Sequence, residues 1–588
     1  MTPVLFYVLW GWVGVSARHE TVVVTGTPEP VPLEEADRAV RSIPLRGQEL
    51  LFNTYVDILQ LDAALDLRQR GPNGTQADLS VRGGTFGQTL ILWNGRRMND
   101  PQSGHHNLDL PIPLESMESV EMMRGAGSFL YGSDAVGGVV NVITRAPETP
   151  EIRLRVSAGN FGVNQERVSL SGSRGRWTEM LTGARDFSSG FRPDRDYRSL
   201  AIASATTYRS SLGMTDVDLA WSDRPFGADQ FYGNYPSWER TKSQWAGLRQ
   251  TLGERTEADF SYRRHTDLFV LFRDQPQIFE NRHAAQSWEA SFRRREPLSP
   301  SSTFFWGGEG FGDEIDSTNL GHHSRARGAA YAGWDARVMR RFSFTAGVRG
   351  EVYRGLPGQW SPSISGGYWA GGKVKLRAAV SRAFRVPSYT DLYYHDPANL
   401  GSPTLRPEKA WSYEAGADWR PARRVSADVT VFHRRDRDVI DYVRSSPADI
   451  WRATNIQNLN FTGVETGVRW TVSSQTIDLR YTALHGVAEV LSGLQSRYAF
   501  QYPVHSGLAS WQALIARQVA CRTRIGALKR IGGTPYAVWD AYVARSQGRI
   551  RPFVQFTNLA NVTYQEVVGV VMPGRAIVGG VELRLTSR

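Results

Sequence analysis

The chain has 588 residues, 69 Lys+Arg against 58 Asp+Glu, a formal net charge of +11 and a single cysteine, Cys521. One cysteine excludes an internal disulfide and a cysteine-rich metal site, and 41% hydrophobic with 11% aromatic content excludes a disordered chain. Beyond the N-terminus no run of about 18 apolar residues occurs, which excludes transmembrane helices. A membrane barrel stays open, because alternating strands average to a polar hydropathy, here −0.37.

Residues 1–17 read as a signal peptide: Val4 to Val15 is an apolar, aromatic core and Val15-Ser16-Ala17 a small-residue cleavage pattern, although no Lys or Arg precedes the core. Residues 18–32 follow as a peptide and linker. Glu20 to Thr27 is β-prone, and Pro28, Pro30 and Pro32 bar it from a sheet interior, so it is expected to be extended and available. Residues 33–147 read as a compact mixed α/β unit. Leu50 to Leu67 has helical spacing; Leu79 to Arg82, Thr89 to Trp93, Ser119 to Arg124 and Gly138 to Thr144 read as strands between Gly-rich turns.

From residue 148 to 588 the period is two. Trp411, Tyr413, Ala415, Ala417 and Trp419 share one face; Ser412, Glu414, Gly416, Asp418 and Arg420 share the other. Strands with one apolar and one charged face fit a wall between lipid and a polar lumen. The strand count is 22, with Val425 to Arg444 taken as one protruding strand because Arg434 to Asp438 holds no turn residue. Short turns such as Gly253-Glu254, Gly371-Gly372 and Ser473-Ser474 alternate with long segments at 223–239, 268–283, 313–324, 384–410, 486–503 and 558–572. The expected fold is an all-β transmembrane barrel of about 22 antiparallel strands. A lumen of that width needs filling, and residues 33–147 are the available plug. The positive charge is nearly all Arg spread along strands, so no nucleic-acid partner is expected.

At this point the sequence resembles the TonB-dependent outer-membrane receptor family along nearly its whole length. Thr21-Val22-Val23-Val24-Thr25-Gly26 is similar to the TonB box. Leu79-Ser80-Val81-Arg82-Gly83, Leu92-Trp93-Asn94-Gly95, Glu121-Met122-Met123-Arg124-Gly125 and the run Tyr131 to Thr144 are similar to plug signatures. Phe384-Arg385-Val386-Pro387 with Asp391-Leu392-Tyr393 and Leu405-Arg406-Pro407-Glu408 resembles the family's large central loop. Asn558-Leu559 and Pro573-Gly574-Arg575 resemble its C-terminal signature. Family barrels usually end on an aromatic residue; here the last outward apolar position is Leu585. Among subfamilies, the plug and the Phe384 segment look most like cobalamin receptors.

The resemblance implies a bacterial outer-membrane location and a monomeric importer without catalytic function. Its partners would be lipid, a periplasmic TonB-type energy transducer and an extracellular metal chelate, first a cobalamin-type corrinoid, with haem or a ferric siderophore as alternatives. Thr21, Val22, Val23, Val24 and Thr25 would be added as a strand by the transducer. Arg82 and Arg124 would lock the plug to Glu414 and Glu465 on the lumen wall, or else cap local turns. Asn99, Asp100, His105, His106 and Asn107 on the plug loop, with Phe231, Tyr232, Tyr393, Tyr394 and His395, would face the ligand. The histidines are alternatively hydrogen-bonded locally, or serve haem iron. No cofactor is required; Asp194 and Asp196 would take calcium if the outer loops bind it. No GxSxG, HExxH or phosphate-binding loop appears; an outer-membrane barrel enzyme stays as the competing class because some outer-membrane barrels are hydrolases.

Overall fold

A computed structural model describes residues 22–144, 149–339, 341–488, 493–516 and 518–586. The signal peptide and Thr21 lie outside these residues. Among them, 22 antiparallel strands close into one barrel. The first, Glu151–Gly159, pairs with the last, Ala576–Thr586, so that Leu154 faces Leu583. Strand lengths run from 8 residues, Ile550–Thr557, to 20, Glu280–Ser299.

The barrel is inverted relative to a water-soluble one. Along the first strand Ile152, Leu154 and Val156 are exposed, the last at 52%, whereas Arg155 is 2% exposed. Arg349, Arg522 and Arg551 are among the most deeply buried large side chains. An apolar exterior around a charged interior is stable only where the surrounding medium is hydrocarbon. The alternation read at Trp411 to Arg420 holds: Tyr413, Ala415 and Trp419 are exposed, and Ser412 and Glu414 are buried.

The plug fills the lumen. Its five-stranded sheet runs in the order Ala39–Pro44, Met117–Arg124, Gly138–Thr144, Thr89–Trp93, Arg96–Arg97, with a parallel pairing between the third and fourth. A hairpin of Leu65–Gln69 with Ala77–Val81 stands beside it. The expected helix over Leu50 to Leu67 is only five residues, Tyr55–Leu59, opened by a capping box between Thr54 and Asp57. Past its end, Asp62 accepts the Ala64 amide at 2.9 Å, a local bond that competes with helix.

Three further expectations need correction. Residues 313–324 form no long loop: Ser302–Ser317 and Gly321–Val338 are joined by a tight turn, which Ser317 closes by accepting the Asn319 and Leu320 amides. Val425 to Arg444 is not one strand. Asp438 adopts a φ of 57°, ending the barrel strand Val425–Arg437 and starting Val439–Arg444 in a separate sheet. Aspartate tolerates this left-handed geometry better than most residues, and its carboxylate is held by Arg406 at 2.6 Å. The separate sheet joins three loops in the order Asn399–Leu400, Trp451–Ile456, Val439–Arg444, Gln495–Ser496 and caps the long-loop end of the barrel. Third, the Glu20 to Thr27 segment is not free: Val22–Val23 pairs with Val31–Pro32.

Candidate functional site

Three clusters join plug to barrel. The first contains the four expected lock residues. Arg82 grips Glu465 with two parallel bonds, Nε to Oε1 at 2.7 Å and Nη2 to Oε2 at 2.9 Å, and Nη1 reaches Glu414 at 2.7 Å. Arg124 stands 3.4 Å from Glu465. All four side chains are buried. Arg82 has a φ of 52°, a strained geometry for a non-glycine residue. Sequence reading missed a fifth member, Arg38, whose Nε lies 2.9 Å from Glu414 and whose Nη2 donates to the Ala126 carbonyl at 2.7 Å. It sits in no recognisable motif, and only the fold brings it near.

The second cluster holds Val24 to Gly26 on the short-turn face of the plug. The Val24 and Thr25 amides donate to Glu121 at 3.1 and 2.9 Å, Asn141 donates to Thr25 Oγ1 at 3.1 Å, and the Gly26 amide donates to the Tyr131 hydroxyl at 2.9 Å. Val23 and Thr25 are buried while Val22 and Val24 are exposed, the alternation of an added strand. Burial raises the pKa of Glu121, opposed by the Thr25 hydroxyl and the two amides. A cavity of about 630 Å³ opens beside Val24, between plug residues Arg96 and Asn141 and wall residues Asp216, Glu257 and Arg293.

The third cluster lies at the long-loop end. Here the expected ligand-facing loop folds onto the wall. Asn99 accepts from the Ile91 amide at 2.8 Å, Asn107 from the Asp100 amide at 2.9 Å, and Asp100 pairs with Arg263 at 2.6 Å and with His265 at 3.0 Å. Asn99, Asp100, His106 and Asn107 are buried. His106 stands 3.5 Å from Asp109 and 3.4 Å from Asp267; burial lowers its pKa, but these carboxylates outweigh it and hold the ring well above the ordinary histidine range. His105 is half-buried, 2.7 Å from Asp78 and stacked on Phe86 at 4.1 Å.

The other expected contacts disperse. Phe231 is buried under Arg195, 4.6 Å from its ring. Tyr232 is partly exposed and donates to Glu239 at 3.2 Å. Tyr393 stacks on His323 at 3.6 Å, Tyr394 is half-buried, and His395 is exposed. Asp194 and Asp196 both pair with Arg273, at 3.0 Å for Asp194 and 3.0 Å from Nη2 for Asp196. The long-loop end carries further aromatic contacts among residues that had no sequence signal. Tyr498 meets Phe86 and Tyr442 edge-on at 5.1 and 6.4 Å, and Arg444 and Arg497 lie 4.3 and 5.7 Å above Trp451.

Comparison with known proteins agrees with this architecture. Residues 155–567 match the model of the TonB dependent receptor-like beta-barrel, and residues 48–139 that of the TonB-dependent receptor plug domain. Relatives include the vitamin B12 transporter BtuB of Vibrio vulnificus strain YJ016, 24% identical over 491 residues (76% of this chain, 75% of that protein). Another is an iron-regulated outer membrane virulence protein of Vibrio cholerae serotype O1 strain ATCC 39541, 25% identical over 558 residues (84% and 82%). Among solved structures, the siderophore receptor PirA of Acinetobacter baumannii superposes with a TM-score of 0.77 at 15% identity, covering 93% of this chain and 98% of that one. A ferric enterobactin receptor of Pseudomonas aeruginosa gives 0.77 at 15% identity, covering 96% and 100%. A barrel with lipid-facing apolar strands, a plug filling its lumen and a match across most of its length place this chain in the TonB-dependent receptor family of the bacterial outer membrane.

Proposed function

We propose that the chain imports a bulky metal chelate, with a cobalamin-type corrinoid as the cargo. The observation carrying the transport reading is the division of the plug between two faces: an aromatic cluster at the long-loop end and a peptide clasped by Glu121 at the other. Ligand capture shifts the plug, the clasp opens, and a periplasmic TonB-type transducer adds Val22 to Thr25 as a strand and pulls. The barrel itself carries no catalytic role. Relatives named as vitamin B12 transporters support the corrinoid choice.

A ferric siderophore is the second reading, favoured by one observation: Arg444 and Arg497 stacked on Trp451 make a cationic aromatic surface suited to an anionic aromatic chelate. Haem demands an axial nitrogen. His106 is buried and His105 is tied to Asp78, which leaves His395 exposed.

The test is titration of the purified receptor with cyanocobalamin, ferric enterobactin and haemin. Saturable cobalamin binding that changes less than about tenfold, roughly 1.4 kcal/mol, on His105→Ala with His395→Ala supports the corrinoid. A Soret shift with haemin that disappears in the same variant overturns it, and binding of ferric enterobactin alone moves the cargo to the siderophores.

A further inference from the structure

Beneath the plug loop two buried carboxylates lack the arginine that their neighbours have. Asp78 has Arg70, Asp100 has Arg263, Asp109 has Arg224 and Asp218 has Arg96. Glu239 and Asp267, exposed by only 1% and 6%, form no ion pair with Lys or Arg among the described residues. They lie on adjacent strands, Trp238–Leu252 and Thr256–Val270. Glu239 pairs with Phe269 and Thr241 with Asp267, so the carboxylates are inward diagonal neighbours. Each has one satisfied oxygen: Glu239 Oε2 accepts from Tyr232 at 3.2 Å, and Asp267 Oδ2 from Gln102 at 3.0 Å. Glu239 Oε1 and Asp267 Oδ1 are buried without a partner. His106 completes the group, and one ligand atom from each of the three residues lies within 4.8 Å of the others.

From this geometry we infer that His106, Glu239 and Asp267 bind a divalent transition-metal ion of the zinc class, which fastens the plug loop to the barrel wall. A dication displaces the protons that this group otherwise holds and meets two carboxylates that no arginine neutralises; buried charges persist only when paired or bound to metal. Imidazole with two carboxylates is a zinc donor set. Metal–ligand bonds of about 2.0–2.2 Å put neighbouring donors about 3.4 Å apart in a tetrahedron. His106 Nε2 and Asp267 Oδ2 stand at 3.4 Å already, and the three ligand atoms all lie within 4.8 Å of one another. Asp109, 3.5 Å from His106 Nδ1, supplies the carboxylate that orients a metal-bound histidine from behind. An alternative triad of His106, Asp109 and His265 is opposed by Arg224, already 2.8 Å from Asp109.

The test uses the full-length receptor in detergent, stripped with a chelator, equilibrated with Zn²⁺ and desalted. We expect one zinc retained per chain, with an affinity that drops at least 100-fold in the Glu239→Gln, Asp267→Asn double variant. Asp194→Asn with Asp196→Asn should leave it unchanged. X-ray absorption of the wild-type protein should show an N/O shell at about 2.0–2.1 Å with imidazole scattering. No zinc above the detergent blank, equal affinity in the double variant, or a zinc spectrum without imidazole overturns the site. The spectrum decides by itself if the double variant does not fold.

Discussion

Arg82 sits at a φ of 52° on the plug and points its guanidinium at two wall carboxylates. A buried ion pair contributes little net stability, yet removing one partner leaves an uncompensated charge at a cost of about 3–5 kcal/mol. Glu465→Ala therefore should loosen the plug and raise passive entry of large antibiotics. In urea titrations of plug mobility, Arg82→Ala combined with Glu465→Ala should show a coupling of about 0.5–3 kcal/mol. Arg153→Ala, whose partner is Glu49 at 2.9 Å, should be additive with Glu465→Ala. Strict additivity in both cycles would return Arg82 to a turn-capping role. The residues of this lock were legible because each stood in a motif or on the polar face of a strand. Arg38 was not, since nothing in Asp37-Arg38-Ala39 tells where the chain will place it.

Among elements, the loop sheet at the long-loop end was the least legible. Its strands come from three separate loops, and such pairing leaves no period in any one of them. It buries Asp441, whose pKa burial raises to about 6, against opposing bonds from Ser496 and the Ala499, Tyr442 and Tyr498 amides. An acid raised in the folded state stabilises that state below its unfolded pKa and loses the contribution as pH rises through the folded value. The sheet should therefore lose up to about 3 kcal/mol between pH 4 and above 6. Amide exchange at Tyr498 and Ala499, corrected for intrinsic rate, should be slower at pH 4.5 than at 7.5, and Asp441→Asn should flatten the difference. Protection that grows with pH contradicts this. Barrel strands were legible for the opposite reason: a lipid-facing and a lumen-facing side impose period two along the whole strand. In a Cys521→Ser background, a spin label at Trp419 should respond to oxygen and one at Glu414 to a water-soluble relaxer. The same response at both positions would reject the inverted wall.

For the whole molecule, the central claim is that ligand capture on one face is energised through the peptide on the other. Sequence reading took Thr21 to Thr25 as a free, extended segment and missed that Val24 and Thr25 are clasped, because the Glu121 carboxylate is distant in the chain and close only in the fold. Proline at Val23 removes a backbone donor and disfavours strand pairing, and it lies on the plug face opposite the long-loop end. The most direct measurement is ligand binding to whole cells alongside ligand accumulation, for wild type and Val23→Pro, with the cargo identified by titration. Binding should stay within about twofold of wild type, and accumulation should fall to that of cells lacking the transducer. Accumulation at the wild-type rate, or equal loss of binding and accumulation, would contradict it.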